Sequence, residues 1–585
     1  MAMPGPRTGG QIVVDALLAQ GVDTIFQVPG ESFTPVLDAL LDAGNRIRVI
    51  TCRHEASAAN MADAYGKLTG RPGVVIVTRT PGAAHAAVGV TTARQDSTPM
   101  VLLVGQAETG ILGREAFQEF DAAGMFGWTA KWTGEAKTAA ELPGLLGDAF
   151  TASQTGRMGP SILSLPRDVL GATTDAEDPP RADPKPGKPS AAEMEQLGEL
   201  LAAAKRPLMI FGGSGWTHEA TIALTNFTEK YSLPAAASFR RMDRHDNRHS
   251  SYVGDLNFAP DPQLVIRARE ADLILALGTR LGEIPTQTYT LMKSPRPDQT
   301  LVHIYPDASE LGRVFEPDLG IVATPVTFLE VADILPEINN PVWAEWASEL
   351  RREYEATLLP VPCPGDVDMN EVIKIVRETL PGDAIITLDA GNFSQWPQRF
   401  IPFTSYPSLL GPASGAMGYG VPSGIAAKCV FPDRPVVTFV GDGGFLMSGS
   451  ELATAMQYGL SPVILVFNNG IFGTIRAHQE RQYPGRVSGT EITNPDFAAY
   501  AESFGAFGAR VAKTSEFKPA FDAALNAGRA AVLDIKLDPE AISTRATLSG
   551  IREAALKRGD WGIAAADYGR TWPSTENLTE SPNRA

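Results

Sequence analysis

Val436-Val437-Thr438-Phe439-Val440-Gly441-Asp442-Gly443-Gly444-Phe445, followed by Val463-Ile464-Leu465-Val466-Phe467-Asn468-Asn469, decides the fold. An apolar, β-branched run ends in a glycine turn carrying one carboxylate, and a second such run ends in paired asparagines. Runs this short and this uniformly apolar suit strands buried on both faces, as in a parallel sheet. With a helix expected over 448–458, the segment is a βαβ unit with polar residues at its strand ends, where open α/β sheets bind ligands.

The glycines let backbone N–H groups approach a phosphate, but Asp442 would repel that anion unless a cation lies between them. Asp442, the Asn469 side-chain oxygen and a backbone carbonyl just beyond are hard oxygen ligands, a set suited to Mg2+ bridging to a diphosphate. The bland alternative is an Asp442 that caps the helix and asparagines that form a turn. The pair at the second strand end favours the cation.

Gly441-Asp442-Gly443 with Asn468-Asn469 resembles the signature of thiamine-diphosphate enzymes, and the chain is similar over nearly its whole length to their acetolactate synthase-like group of 2-oxo acid decarboxylases and carboligases. The resemblance implies Asp442, Asn469 and the Ile471 carbonyl as metal ligands, and Gly441, Gly443 and Gly444 as the diphosphate-contacting turn. It matches Asn392 and Phe393 to the first diphosphate turn, where many acetolactate synthases carry Gln-His. Gly415 would offer its carbonyl to the cofactor's amino group, and Met417 would wedge the two rings into their bent form.

Length and composition agree with a multidomain enzyme. The chain has 585 residues, enough for three to four domains of ~150 residues each. A formal charge of −17 argues against nucleic-acid or anionic-membrane partners. Cys52, Cys363 and Cys429 lie far apart, in no metal-ligand spacing, and read as reduced thiols of a cytoplasmic protein. No secretion or membrane-insertion signal is evident.

Two breaks divide the chain, a proline- and charge-rich stretch at 173–189 and Leu358-Leu359-Pro360-Val361-Pro362-Cys363-Pro364. Strand-like runs on either side, among them 74–77, 100–104, 207–211, 273–277 and 301–304, predict an α/β fold of three consecutive domains with mostly parallel sheets. The expected limits are 1–175 (pyrimidine-binding), 190–350 (central) and 365–540 (diphosphate-binding). A tail over 541–585 follows, helical at 543–558 and mobile at its end.

Arg53 to Tyr65 reads as a helix of small residues with Glu55 in its first turn. Glu55 could simply favour the helix dipole. By resemblance it is the residue that activates the cofactor through the aminopyrimidine ring nitrogen. Phe117-Gln118-Glu119 and Lys131 match a segment and a lysine of acetolactate synthases, with Gln118 facing the cofactor's reactive side; a surface loop is the alternative. His478 stands where that group has a tryptophan, bringing a titratable group to the acceptor pocket, or else a surface histidine. His85 is either a second acid–base group or a helix-terminal residue. Ser251 falls where the group pairs an arginine with the second substrate's carboxylate, leaving Arg240, Arg241 and Arg248 nearby.

The resemblance implies decarboxylation of a 2-oxo acid with carboligation to a second carbonyl, either an aldehyde or a second 2-oxo acid. A decarboxylase releasing an aldehyde and a non-catalytic cofactor-binding subunit are the alternatives. It further implies a homodimer as the smallest active unit, with a homotetramer expected. Gly278-Thr279-Arg280 and Tyr305-Pro306-Asp307 resemble an FAD-binding arrangement whose flavin-containing relatives read Asp-Ile-Asp at the latter site, so bound FAD stays open.

Overall fold

The computed structural model describes residues 5–559 and contains three six-stranded sheets in succession, every pairing within them parallel. The N-terminal sheet runs Arg48–Thr51, Thr24–Gln27, Gly73–Val77, Met100–Gln106, Pro160–Pro166, Trp132–Glu135 across its width. The C-terminal sheet runs Leu409–Leu410, Ile385–Leu388, Val436–Gly441, Val463–Asn468, Ala531–Lys536, Phe507–Val511. Numbered along the chain, both have the order 2-1-3-4-6-5. The central sheet runs Tyr252–Leu256, Ala235–Ser238, Pro207–Phe211, Leu273–Leu277, Thr300–Tyr305, Leu319–Val322, the order 3-2-1-4-5-6 of a doubly wound fold.

Strands such as Val463–Asn468 and Met100–Gln106 are buried at every residue, because helices cover both faces. The N- and C-terminal sheets share one core. Ala58, Ala62 and Tyr65 of helix Glu55–Thr69 belong to the same apolar cluster as Val421 and Ile425 of helix Gly420–Val430. Small residues on the first helix permit that close packing. Tyr419 Oη donates to Asp63 at 2.8 Å across the junction, and Lys67 forms an ion pair with the same carboxylate at 2.7 Å.

Several expected elements differ. No helix spans 448–458: a helix starts at Asp442 itself, directly after strand Val436–Gly441, and ends at Ser448. A 3-10 turn Gly449–Glu451 and a second helix Leu452–Gln457 follow, the break falling at a glycine that weakens helical continuity. The helix expected from Arg53 begins at Glu55 and extends to Thr69, capped by the His54 ring. In the stretch 173–189, Thr173–Thr174 pairs antiparallel with Arg7–Thr8, and the remainder has neither helix nor strand.

In the tail the helix spans Leu548–Arg558, not 543–558. Residues 543–547 form a strap instead, because their backbone is held by other parts of the fold: Arg399 Nη1 donates to the Thr544 carbonyl at 3.1 Å, and Asn392 Nδ2 to the Ile542 carbonyl, also at 3.1 Å. The expected mobile end, 560–585, lies outside the described residues.

Candidate active site

The C-terminal sheet reverses its winding between strands Ile385–Leu388 and Val436–Gly441, so the crevice beyond their carboxyl ends is where an open α/β sheet binds ligands. A cavity of about 690 Å³ opens there, between the sheet, the central domain and the strap. Of the residues expected to hold a cofactor or metal, Gly441, Asp442, Gly443, Gly444, Asn469 and Ile471 all line it. So do Asn392, Phe393, Gly415 and Met417 on the facing turns, and His478 at its far wall.

Asp442 is 3% exposed. Its Oδ1 accepts from Gly443 N at 2.9 Å, and its Oδ2 from Gly470 N and Asn494 Nδ2, both at 2.8 Å. No Lys, Arg or His forms an ion pair with it among the described residues, and burial pushes its carboxyl above the usual range. A buried carboxylate with no ion-pair partner among the described residues, together with Asn469 and Ile471 on the same cavity wall, offers a set of oxygen donors that fits Mg2+. Gly443 is sterically required: a Cβ there would lie 2.6 Å from the Phe472 ring. The bare backbone beside Met417 leaves room for an anion to approach the amides.

The first turn is organised by a carboxylate of its own. Fully buried Asp389 accepts from Gly418 N and Gly420 N at 3.0 Å and from Ala390 N at 2.6 Å, tying the strand end to the Gly415–Met417 segment. Gly415 has φ +71°, the left-handed region that favours glycine, and a Cβ there would meet nothing within 4 Å. Phe393 is a core ring, stacked on Phe467 at 5.6 Å, and reaches the cavity only along its edge against Gly441.

His478 lies on helix Gly473–Gln482, its Nδ1 3.4 Å from Arg481 Nη1; burial, then the Arg481 charge, lowers its pKa, so the imidazole is neutral at neutral pH. Of the three arginines, Arg241 pairs with buried Asp96 and Arg248 with Asp246 at the surface. Arg240 alone lines the cavity, and it forms no ion pair among the described residues. It donates instead to the carbonyls of Pro412 (2.8 Å) and Asp389 (3.1 Å), bracing the turns that follow strand Ile385–Leu388 and precede Gly415. Ser251 is buried against Thr228 and His245.

Glu55, His85 and Gln118 do not line this cavity in one chain. Glu55 occupies the first position of its helix, which Glu451 of the C-terminal domain fixes by accepting from Arg53 N and His54 N at 3.0 Å. His85 Nδ1 lies 2.9 Å from Glu55 Oε2, one turn into helix Thr80–Asp96 rather than at its start. The Gln118 backbone, at φ +59°, accepts from Thr80 N at 3.2 Å, which places Gln118 at the entrance of that helix. Lys131 is structural: its ammonium donates to the carbonyls of Ala152 and Thr155, and burial lowers its pKa to about 8.

The site's geometry has a counterpart in known sequences. Residues 7–125, 194–331 and 389–535 match the N-terminal TPP-binding, central and C-terminal TPP-binding domains of thiamine pyrophosphate enzymes. The chain belongs to the thiamine pyrophosphate enzyme family, in its acetolactate synthase-like group. It is 31% identical over 513 residues to the acetolactate synthase large subunit of Lactococcus lactis, covering 86% of this chain and 87% of that one. It is 29% identical over 537 residues to the acetolactate synthase isozyme 2 large subunit of Escherichia coli (91% and 95% covered), and 30% over 546 residues to the Corynebacterium glutamicum large subunit (89% and 85%).

At the switch point of the central sheet the two strand ends touch: a Cβ on Gly213 would lie 1.8 Å from the Gly278 carbonyl, and Trp216 and Arg241 hold the Gly212 and Gly213 carbonyls. Tyr305 is buried beside them, and Arg157 and Arg280 converge on Glu310.

Two site residues escape sequence reading. Asn494 sits in a Thr-Asn-Pro turn that signals only a loop, and Asp389 looks like a strand-end turn former. Their roles rest on contacts 52 and 29 residues away along the chain.

Proposed function

We propose that this chain is a thiamine-diphosphate- and Mg2+-dependent enzyme that decarboxylates a 2-oxo acid and joins the remaining unit to a second carbonyl, as the names of its acetolactate synthase relatives suggest. The observation that carries this reading is the buried, cation-less Asp442 beside the Gly443 amide and Asn469 at adjacent parallel strand ends. Thiamine diphosphate, when bound, supplies a nucleophilic carbon and an electron sink for the donor's carbonyl carbon.

The protein's residues divide the remaining work. Asp442, Asn469 and the Ile471 carbonyl would hold the metal, and the Gly443 and Gly444 backbone would leave room for the diphosphate. Met417 would pack against the cofactor's rings, the Gly415 carbonyl would accept a hydrogen bond from its amino group, and the Glu55 carboxylate would hold or give a proton at its ring nitrogen. His478, neutral and facing the cavity, gives or takes a proton on the substrate side, where Gln118 is a second polar contact.

A single chain separates Glu55 from Asp442, and Phe117 and Trp128 beside the Glu55 half are 75% and 79% exposed. Rings that exposed favour a covering partner. A homodimer that brings one copy's Glu55 to the other's cavity, and a homotetramer of such dimers, is the assembly this reading expects. A cytoplasmic location accords with its free cysteines, and no described helix is long and apolar enough to cross a membrane.

The test is to incubate purified protein, thiamine diphosphate and Mg2+ with a panel of 2-oxo acids, alone and with aldehyde acceptors, and follow CO2 and products by mass spectrometry. A new carbon–carbon bond alongside CO2 is the expected result. Aldehyde alone would replace carboligation by simple decarboxylation, and cofactor binding without turnover of any donor would return the non-catalytic subunit.

A further inference from the structure

Glu55 is held at one oxygen only. His85 Nδ1 lies 2.9 Å from Oε2, and no donor reaches Oε1 among the described residues. Oε1 faces Gly82, where even a Cβ would approach to 3.5 Å, so the absence of a side chain keeps that oxygen accessible. Because a carboxylate only accepts, the hydrogen bond assigns the His85 proton to Nδ1. The Glu55 side chain is 12% exposed and that of His85 54%, so the imidazole is the outer member of the pair.

His85 is itself braced. The His54 ring packs on it with centroids 4.6 Å apart and planes tilted by 30°. The His54 Nδ1 accepts from Ala56 N at 3.1 Å, and the His54 backbone N–H donates to Glu451 Oε1 at 3.0 Å. The titratable groups facing His85 are therefore Glu55 and His54, with Glu451 behind them. His54 is kept neutral by burial and then by the proximity of His85, so it adds bulk rather than charge.

We propose, resting on the reading of Glu55 given above, that His85 is a positioning residue for Glu55: its Nδ1–H fixes Oε2 and so leaves Oε1 for the cofactor's ring nitrogen.

The experiment has a cofactor-free arm and a cofactor-loaded arm. In the apoprotein with 15N-labelled histidine, NMR should place the His85 proton on Nδ1, and that tautomer preference should be lost in Glu55→Leu; a proton on Nε2 in the wild type, or an unchanged Nδ1–H in Glu55→Leu, overturns the contact. In the loaded enzyme, hydrogen–deuterium exchange at the thiazolium C2, read by quenched NMR, should slow about tenfold or more in His85→Ala. In His85→Gln, which retains a donor, exchange should recover. Wild-type rates in His85→Ala, or no recovery in His85→Gln, would overturn the proposal. Failure of the parent reading looks different: Glu55→Gln would then exchange C2 as fast as wild type, whatever the His85 variants do.

Discussion

Asn494 Nδ2 donates to Asp442 Oδ2 at 2.8 Å and to Asn468 Oδ1 at 3.0 Å, so one amide joins the end of strand Val436–Gly441 to the end of strand Val463–Asn468. It is the only side chain that donates to the buried carboxylate among the described residues. Asn494→Ala leaves two buried acceptors short of a donor and is expected to destabilise the protein by about 1–3 kcal/mol, read from urea midpoints. It should also raise the Mg2+ concentration needed for half-maximal cofactor binding. Normal stability and Mg2+ dependence together would mean that Asn494 does not position Asp442.

Glu480 latches the C-terminal helix over the cavity. Its carboxylate accepts from Arg552 at 2.6 and 2.7 Å, from Arg476 at 3.1 Å and from Gly485 N at 2.8 Å; the Arg552 hydrogen bonds come first among the causes that hold it down to about 2. Arg552→Ala is expected to weaken protection of helix Leu548–Arg558 in hydrogen exchange by roughly 1–3 kcal/mol. Because Ser543 and Thr544 line the cavity, the donor KM should rise several-fold. Exchange protection equal to wild type would show that apolar packing of Ile542 and Leu548 on Ile471 holds the tail unaided.

His478 is neutral at neutral pH because burial and then Arg481 lower its pKa. His478→Phe preserves bulk and removes the proton. Steps that need general acid–base help there should slow by on the order of 10²-fold, while cofactor affinity changes little. The ratio of ligated product to aldehyde, measured by mass spectrometry, is the sensitive readout. An unaltered ratio and rate would place His478 outside the chemistry.

Asp389 is raised to about 6 by burial, which outweighs the backbone N–H groups of Gly420, Ala390 and Gly418. A carboxyl with a higher pKa folded than unfolded binds its proton more tightly in the native state. Stability of the apoprotein therefore falls as pH rises from the ordinary value of 3.8 to about 6, by roughly 3 kcal/mol from this group, and is flat above. Asp255, also raised to about 6 by burial, acts in the same direction, so the measurement is the difference between wild type and Asp389→Asn. A difference independent of pH across that window would refute the assignment.

Much of this was legible because local pattern and tertiary environment agree. Strands 436–441 and 463–468 are uniformly apolar because both faces are buried, and their Gly-Asp-Gly and Asn-Asn ends fall at the carboxyl edge that an all-parallel sheet exposes. The helix around Glu55 is legible in its small residues, which helix Gly420–Val430 requires, though it starts at Glu55 and runs on to Thr69. The expected helices over 448–458 and 543–558 differ from the structure, because Asp442 can start a helix with no intervening loop and because Arg399 and Asn392 draw the strap's carbonyls away from helical bonding.

The sequence by itself determined the three-domain α/β architecture and the placing of Asp442 and Asn469 at adjacent strand ends, since these depend on residue type and short spacing. Tertiary structure alone decided which of three arginines lines the cavity, that Asn494 holds Asp442, that Asp389 ties its strand end to the 415–420 segment, and that His85 holds Glu55. Each of these is a hydrogen bond or close approach between segments tens to hundreds of residues apart, and no local pattern encodes which buried polar group will find which partner.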